Sequence, residues 1–165
     1  RHSIAQRLLQ ERPAEVSGSL GMCLLQGVTS NAKLDTLRML LDAGANVGAV
    51  FDDNVQPVTH GTTALHHAVY YCVESHMKDA DATYGGAKRS NADAVVRLLI
   101  ERGAPLDTQS RESHSLNPQR EVVGGSTPRD IAIACENGDV AVAVAALIDH
   151  AVAKRDAARA ALLGA

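Results

Sequence analysis

Two stretches decide the reading: Gly61-Thr62-Thr63-Ala64-Leu65-His66-His67-Ala68-Val69, and Asn91-Ala92-Asp93-Ala94-Val95-Val96-Arg97-Leu98-Leu99-Ile100-Glu101-Arg102-Gly103-Ala104. In the first, Thr62 or Thr63 can offer a side-chain oxygen to the orphan amides of a helix start. Leu65, Ala68, Val69 and Cys72 then take inward positions. In the second, Val95, Val96, Leu98 and Leu99 give a helix over about 92–102 one apolar face. Gly103 closes it.

Working outward, the second stretch has counterparts. Arg7–Pro13, Met39–Ala45, Leu98–Ala104 and Ala146–Val152 can be laid on one another, with positions 12, 44, 103 and 151 equivalent. The spacings are 32, 59 and 48 residues. Self-similarity at such intervals is the mark of a repeat architecture.

The first stretch resembles G-x-T-P-L-H-x-A, the opening of an ankyrin repeat, with Ala64 where proline is usual. The second resembles its close, and Gly125-Ser126-Thr127-Pro128-Arg129-Asp130-Ile131-Ala132 resembles another opening. The resemblance covers roughly 17–150, and a repeat unit is about 33 residues. It implies an all-α solenoid of stacked antiparallel helix pairs. Loops project to one side, and a concave face of first helices and loop tips binds other proteins. It also implies a structural role for Thr63, Leu65, His66, Gly103, Thr127 and Pro128. His66 would then hydrogen-bond within and between repeats. Arg129 stands where leucine is usual, and Arg12 and Ala151 where glycine is.

The chain therefore divides into a partial repeat over 1–16, a repeat over 17–50, one over 51–107, one over 108–150, and a capping helix over 151–165. Helices are expected at about 19–29 and 33–43, with Gly44 as a left-handed C-cap. A further helix runs from the first stretch to about Lys78. Insertions fall near 51–60, 73–91 and 108–124. Asp79–Asn91 is polar and contains Gly85-Gly86, so an exposed, mobile loop is expected. Asn117-Pro118 and Gly124-Gly125 are turn signals in the last insertion. Pro128 suits a first helical position, where no N–H is needed. Asn137-Gly138-Asp139 reads as a turn before a helix that starts near Val140 and continues through Leu163 to cover the open end of the stack.

Composition fits. The 165 residues have a net charge of −3, so nucleic acid and acidic membranes are not expected partners. Aromatics are nearly absent: Phe51, Tyr70, Tyr71 and Tyr84, with no Trp. Alanine, leucine, valine and isoleucine suit closely stacked short helices. Cys23, Cys72 and Cys135 are an odd number inside helical patterns, read as buried apolar residues in a reducing compartment, cytoplasmic or nuclear. No apolar run reaches the length of a membrane span. The chain begins at Arg1, inside a helical pattern, and is expected to be part of a longer one.

Histidines invite a chemical reading, since His60, His66, His67 and His76 fall close together. His66 and His67 point about 100° apart on a helix, so one ion is hard for both to reach. His60, Asp52, Asp53 and His67 could hold a metal, and Cys72 with His76 could act as a thiol and base, with Glu74 on a different face. Gly85-Gly86-Ala87-Lys88 lacks the spacing of a phosphate loop.

All four aromatics lie in or beside the insertions of the middle repeat, and tyrosines are frequent binding hot spots. Phe51, Asp53, His60, His67, Tyr70, Tyr71, Tyr84 and Arg129 are the candidate partner contacts. The competing reading is that Tyr70 and Tyr71 close off a longer helix while Phe51 anchors its loop. The function expected is a non-catalytic module that binds a protein partner through the concave face and inserted loops, without metal or cofactor. The alternatives are a small-molecule-binding or enzymatic protein, with His60, His67, His76 and Asp53 lining a pocket, or a spacer within a larger chain.

Overall fold

The computed structural model describes Glu11, Leu25 and residues 33–51, 61–77, 87–111, 114–117, 120–134 and 138–164. The helix expected at 19–29 is represented by buried Leu25 alone. The partial repeat over 1–16, the link over 52–60, Cys23 and Cys135 lie outside the described residues.

The described chain is predominantly helical: α1 (Leu34–Asp42), α2 (Ala64–Met77), α3 (Ala87–Glu101), α4 (Pro128–Ala134) and α5 (Gly138–Leu163). One departure from an all-α expectation is a short antiparallel ribbon, β1 (His114–Asn117) and β2 (Arg120–Val122), within the insertion read as loop. Its register pairs Asn117 with Arg120 and His114 with Val122. α3 also begins five residues before the expected start. Ala87-Lys88-Arg89 are good helix formers that add turns without adding apolar periodicity.

The ends of α1 and α3 close identically. The Ala45 amide reaches back to the Leu40 carbonyl and Gly44 to Leu41, at 3.0 and 3.1 Å; Ala104 reaches Leu99 and Gly103 reaches Ile100, at 2.9 and 3.0 Å. Gly44 and Gly103 have φ of +92° and +82°. This is the Schellman closure, which satisfies orphan carbonyls and needs a left-handed residue. Asp42 and Arg102, beside the two closures, form an ion pair at 2.7 Å.

A second frame also recurs. Phe51 donates to the Thr62 carbonyl and Gly61 to the Phe51 carbonyl; Ser110 donates to the Ser126 carbonyl and Gly125 to the Ser110 carbonyl. α2 and α4 start from these frames. α2 pairs with α3 and α4 with α5, while α2 also packs on α4 and α3 lies between α1 and α5.

The core follows the apolar faces. Leu65, Val69, Cys72, Val96 and Leu99 are completely buried, with Ile131 and Ile148 nearly so. Each large aliphatic contributes about 1.5–3 kcal/mol relative to exposure. Ala64, Ala68, Ala92, Ala132, Ala141 and Ala145 are buried between helices, where small side chains allow close approach.

α5 continues to Leu163. It runs unbroken for 26 residues, and positions 153–164 are exposed. No glycine or proline interrupts Asp139–Leu163, and alanine is the best helix former, so nothing turns the chain.

Candidate functional site

Of the candidate residues, Phe51, His67, Tyr70 and Tyr71 gather at α2. The two hydrogen bonds between Phe51 and the 61–62 turn, 2.7 and 2.9 Å, fix the Phe51 backbone. Its ring meets the His67 ring edge-on, with centroids 5.1 Å apart. The Thr62 hydroxyl lies 3.0 Å from His67 Nε2. Phe51, His67 and Tyr70 are 2%, 1% and 1% exposed. These three side chains fill the interior, with the Phe51 backbone bonded to Gly61 and Thr62 at the start of α2. Tyr71 is half-buried, stacked edge-on against Tyr70 at 5.5 Å. Asp53, His60 and Tyr84 lie outside the described residues, as do Asp52 and the loop over 78–86.

His66 is completely buried. The Thr63 amide donates to His66 Nδ1 at 3.1 Å, and the Thr63 hydroxyl lies 2.9 Å from the same nitrogen. An amide can only donate, so Nδ1 carries no proton. Nε2–H then donates to the Ser126 carbonyl at 3.2 Å. The imidazole is thus neutral and ties the start of α2 to the loop before α4.

The start of α4 repeats the arrangement with a different acceptor. The Thr127 amide and hydroxyl donate to Asp130 Oδ2 at 2.8 and 2.7 Å, and the Asp130 amide donates back to the Thr127 hydroxyl at 3.2 Å. This is a capping box, whose Thr-x-x-Asp spacing was readable in the sequence. The Thr127 hydrogen bonds hold the Asp130 carboxyl below its usual range.

Arg129 is half-buried and forks onto Asp149, with Nη2 to Oδ2 at 3.0 Å. The pair crosses an open groove of about 470 Å³ between α4 and α5, lined also by Ile133, Val142 and Ala146. Ile133 and Val142 are 51% and 68% exposed.

Thiol chemistry finds little support. Cys72 is buried and its thiol donates to Asp93 Oδ1 at 2.9 Å. Burial first, then Asp93, pushes the thiol well above its ordinary range, the reverse of what a nucleophile needs. His76 lies on α2, but its side chain is outside the described residues. No three His, Cys, Asp or Glu side chains gather as metal ligands among the described residues.

Sequence reasoning missed Asp93, Ser126 and Arg111. The first two act across 21 and 60 residues of chain, and Arg111 packs over Gly61. No local signal marks such partners. No described helix is long and apolar enough to cross a membrane. No protein-family model and no curated protein matches the chain.

Proposed function

We propose that the chain is a non-catalytic, ankyrin-type repeat module that binds a protein partner through its concave face and inserted loops. One observation carries the reading: the same hydrogen-bond frames recur at 40–45 and 99–104, and again at 51–62 and 110–126. They recur at the residues where the sequence motifs resemble ankyrin openings and closings. First helices lying beside first helices, and second beside second, support it further. In such a stack the insertions vary while the frame stays constant, so loops are where recognition resides. The half-buried Tyr71 and Arg129 and the β1–β2 ribbon are the contacts this reading favours.

The test starts from affinity capture and mass spectrometry to identify a partner. Titration calorimetry then compares the wild type with Tyr71→Ala, Arg129→Ala and a chain whose 114–122 ribbon is replaced by a Gly/Ser linker. A hot spot costs more than about 1 kcal/mol on truncation. At least one change should weaken binding by about that much with circular dichroism unchanged. Equal affinity in all three would remove binding from these surfaces.

A further inference from the structure

Two helix starts in this protein are capped in the same geometry by groups of different acid strength. At α4 the acceptor of the Thr127 amide is the carboxylate of Asp130, and at α2 the acceptor of the Thr63 amide is the neutral imidazole of His66. A carboxylate keeps its acceptor lone pairs down to about pH 4, and Asp130 is held lower still by Thr127. An imidazole loses its only acceptor lone pair when it takes a proton.

A proton on His66 Nδ1 would point at the Thr63 N–H, donor against donor. The ring is completely buried and sits in the first turn of α2, where the helix dipole disfavours a cation. The folded cap therefore excludes the imidazolium, while an opened cap lets the ring titrate at its ordinary value of about 6.5. Among the described residues, charged or titratable groups on the surrounding elements include His67, Tyr71 and Cys72 on α2, Asp93 and Arg97 on α3, Arg111 over Gly61, and Arg129 and Asp130 on α4. Asp93 receives the Cys72 thiol, Arg129 is engaged by Asp149, and Asp130 by Thr127.

We propose that His66 is an acid-labile clasp. In mild acid the protonated ring leaves the Thr63 cap and carries its Nε2–H away from the Ser126 carbonyl, while the Thr127–Asp130 cap of α4 stays closed. The sign follows from linkage: the open state binds a proton that the closed state does not, so opening grows as pH falls below the imidazole range. The growth is about tenfold per pH unit. The device would let acidification loosen one junction of the stack and leave its neighbour closed.

Residue-resolved amide exchange by NMR, corrected for intrinsic pH dependence, reads both caps in one sample. From about pH 6.5 to about pH 4.5, protection of the Thr63 amide should fall about tenfold per unit, while that of Thr127 stays level. His66→Gln keeps a carbonyl acceptor and an N–H donor but takes no proton, so its Thr63 protection should not respond to pH. Parallel behaviour of Thr63 and Thr127 in the wild type would overturn the proposal. A pH response surviving in H66Q would assign it to the intact His67 and do the same. Should H66Q fail to fold, the wild-type imidazole nitrogen shifts decide: a neutral Nε2–H ring at neutral pH supports the clasp. An Nδ1–H ring or an imidazolium there overturns it.

Discussion

Arg111 lies directly over Gly61. A Cβ built at Gly61 would stand 2.5 Å from both the backbone nitrogen and Cγ of Arg111. Gly61 also has φ of +75°, a conformation that L side chains rarely adopt. Gly44, at φ +92°, has nothing within 4 Å of such a Cβ. Gly61→Ala should therefore cost about 3 kcal/mol, strain plus displacement of the Arg111 backbone. Gly44→Ala should cost about 1 kcal/mol, from strain alone. Urea unfolding of both variants checks this; equal losses would mean the loop over Gly61 moves aside.

The Thr127–Asp130 cap makes a second expectation. Thr127→Ala removes the hydroxyl from both sides of the box and should cost about 1 kcal/mol. Asp130 is held below its unfolded value of 3.8, chiefly by the Thr127 side chain. A depressed carboxyl adds stability that is present above the unfolded value and is lost as pH falls through the folded one. The stability difference between wild type and T127A should accordingly shrink below about pH 4. A constant difference across acid pH, read from unfolding midpoints, would count against the cap.

Cys72 predicts the opposite slope. Its thiol is raised above the ordinary 9.0 by burial and by Asp93. The unfolded thiol loses its proton first, so stability is intact below pH 9.0 and falls above it. Cys72→Ala should lose about 1–2 kcal/mol at neutral pH through the cavity and the lost hydrogen bond. It should then destabilise less than the wild type as pH rises into the alkaline range. In the native state a thiol reagent should label Cys72 only at the rate of unfolding, and rapid labelling in native buffer would contradict its burial.

The end of α5 should behave as an unsupported helix. Ala141, Val144, Ala145 and Ile148 are buried, whereas Leu162 and Leu163 are 82% and 81% exposed. Arg155 reaches Asp107 on the loop after α3, at the root of the exposed segment. An isolated segment of this length is marginal in water. Amides over 141–148 should exchange at the global unfolding rate and those beyond Arg159 many times faster. Ala158→Pro should remove helical circular dichroism from the tail without moving the unfolding midpoint. A lowered midpoint would mean the tail packs on something.

Much of the fold was legible because its signals are local. Gly44 and Gly103 close helices through bonds that span only three to five residues. The α1 range expected from apolar spacing differs from the observed one by a residue at either end. The β1–β2 ribbon was not legible: its sequence carries turn residues but no run of alternating apolar positions. Nor was the early start of α3, whose first turn is polar.

The candidate site was legible in place and not in orientation. The sequence pointed to Phe51, His67, Tyr70 and Tyr71 as a group, and the first three are interior while only Tyr71 reaches the surface. Aromatic content at an insertion is the same whether the ring anchors the loop or faces a partner. The decision rests with the tertiary placement of Phe51, whose backbone is bonded to Gly61 and Thr62 and whose ring meets His67.

The sequence by itself determined where α2 and α4 start and where α1 and α3 stop, since caps and closing glycines act within a turn or two of the chain. Only the tertiary structure decided what distant side chains touch: His66 against Ser126, Cys72 against Asp93, Arg111 over Gly61. Those partners stand 60, 21 and 50 residues apart in sequence, so their meeting depends on how the helices and loops pack on one another. The choice of these long-range partners is a property of that packing, and no local pattern encodes it.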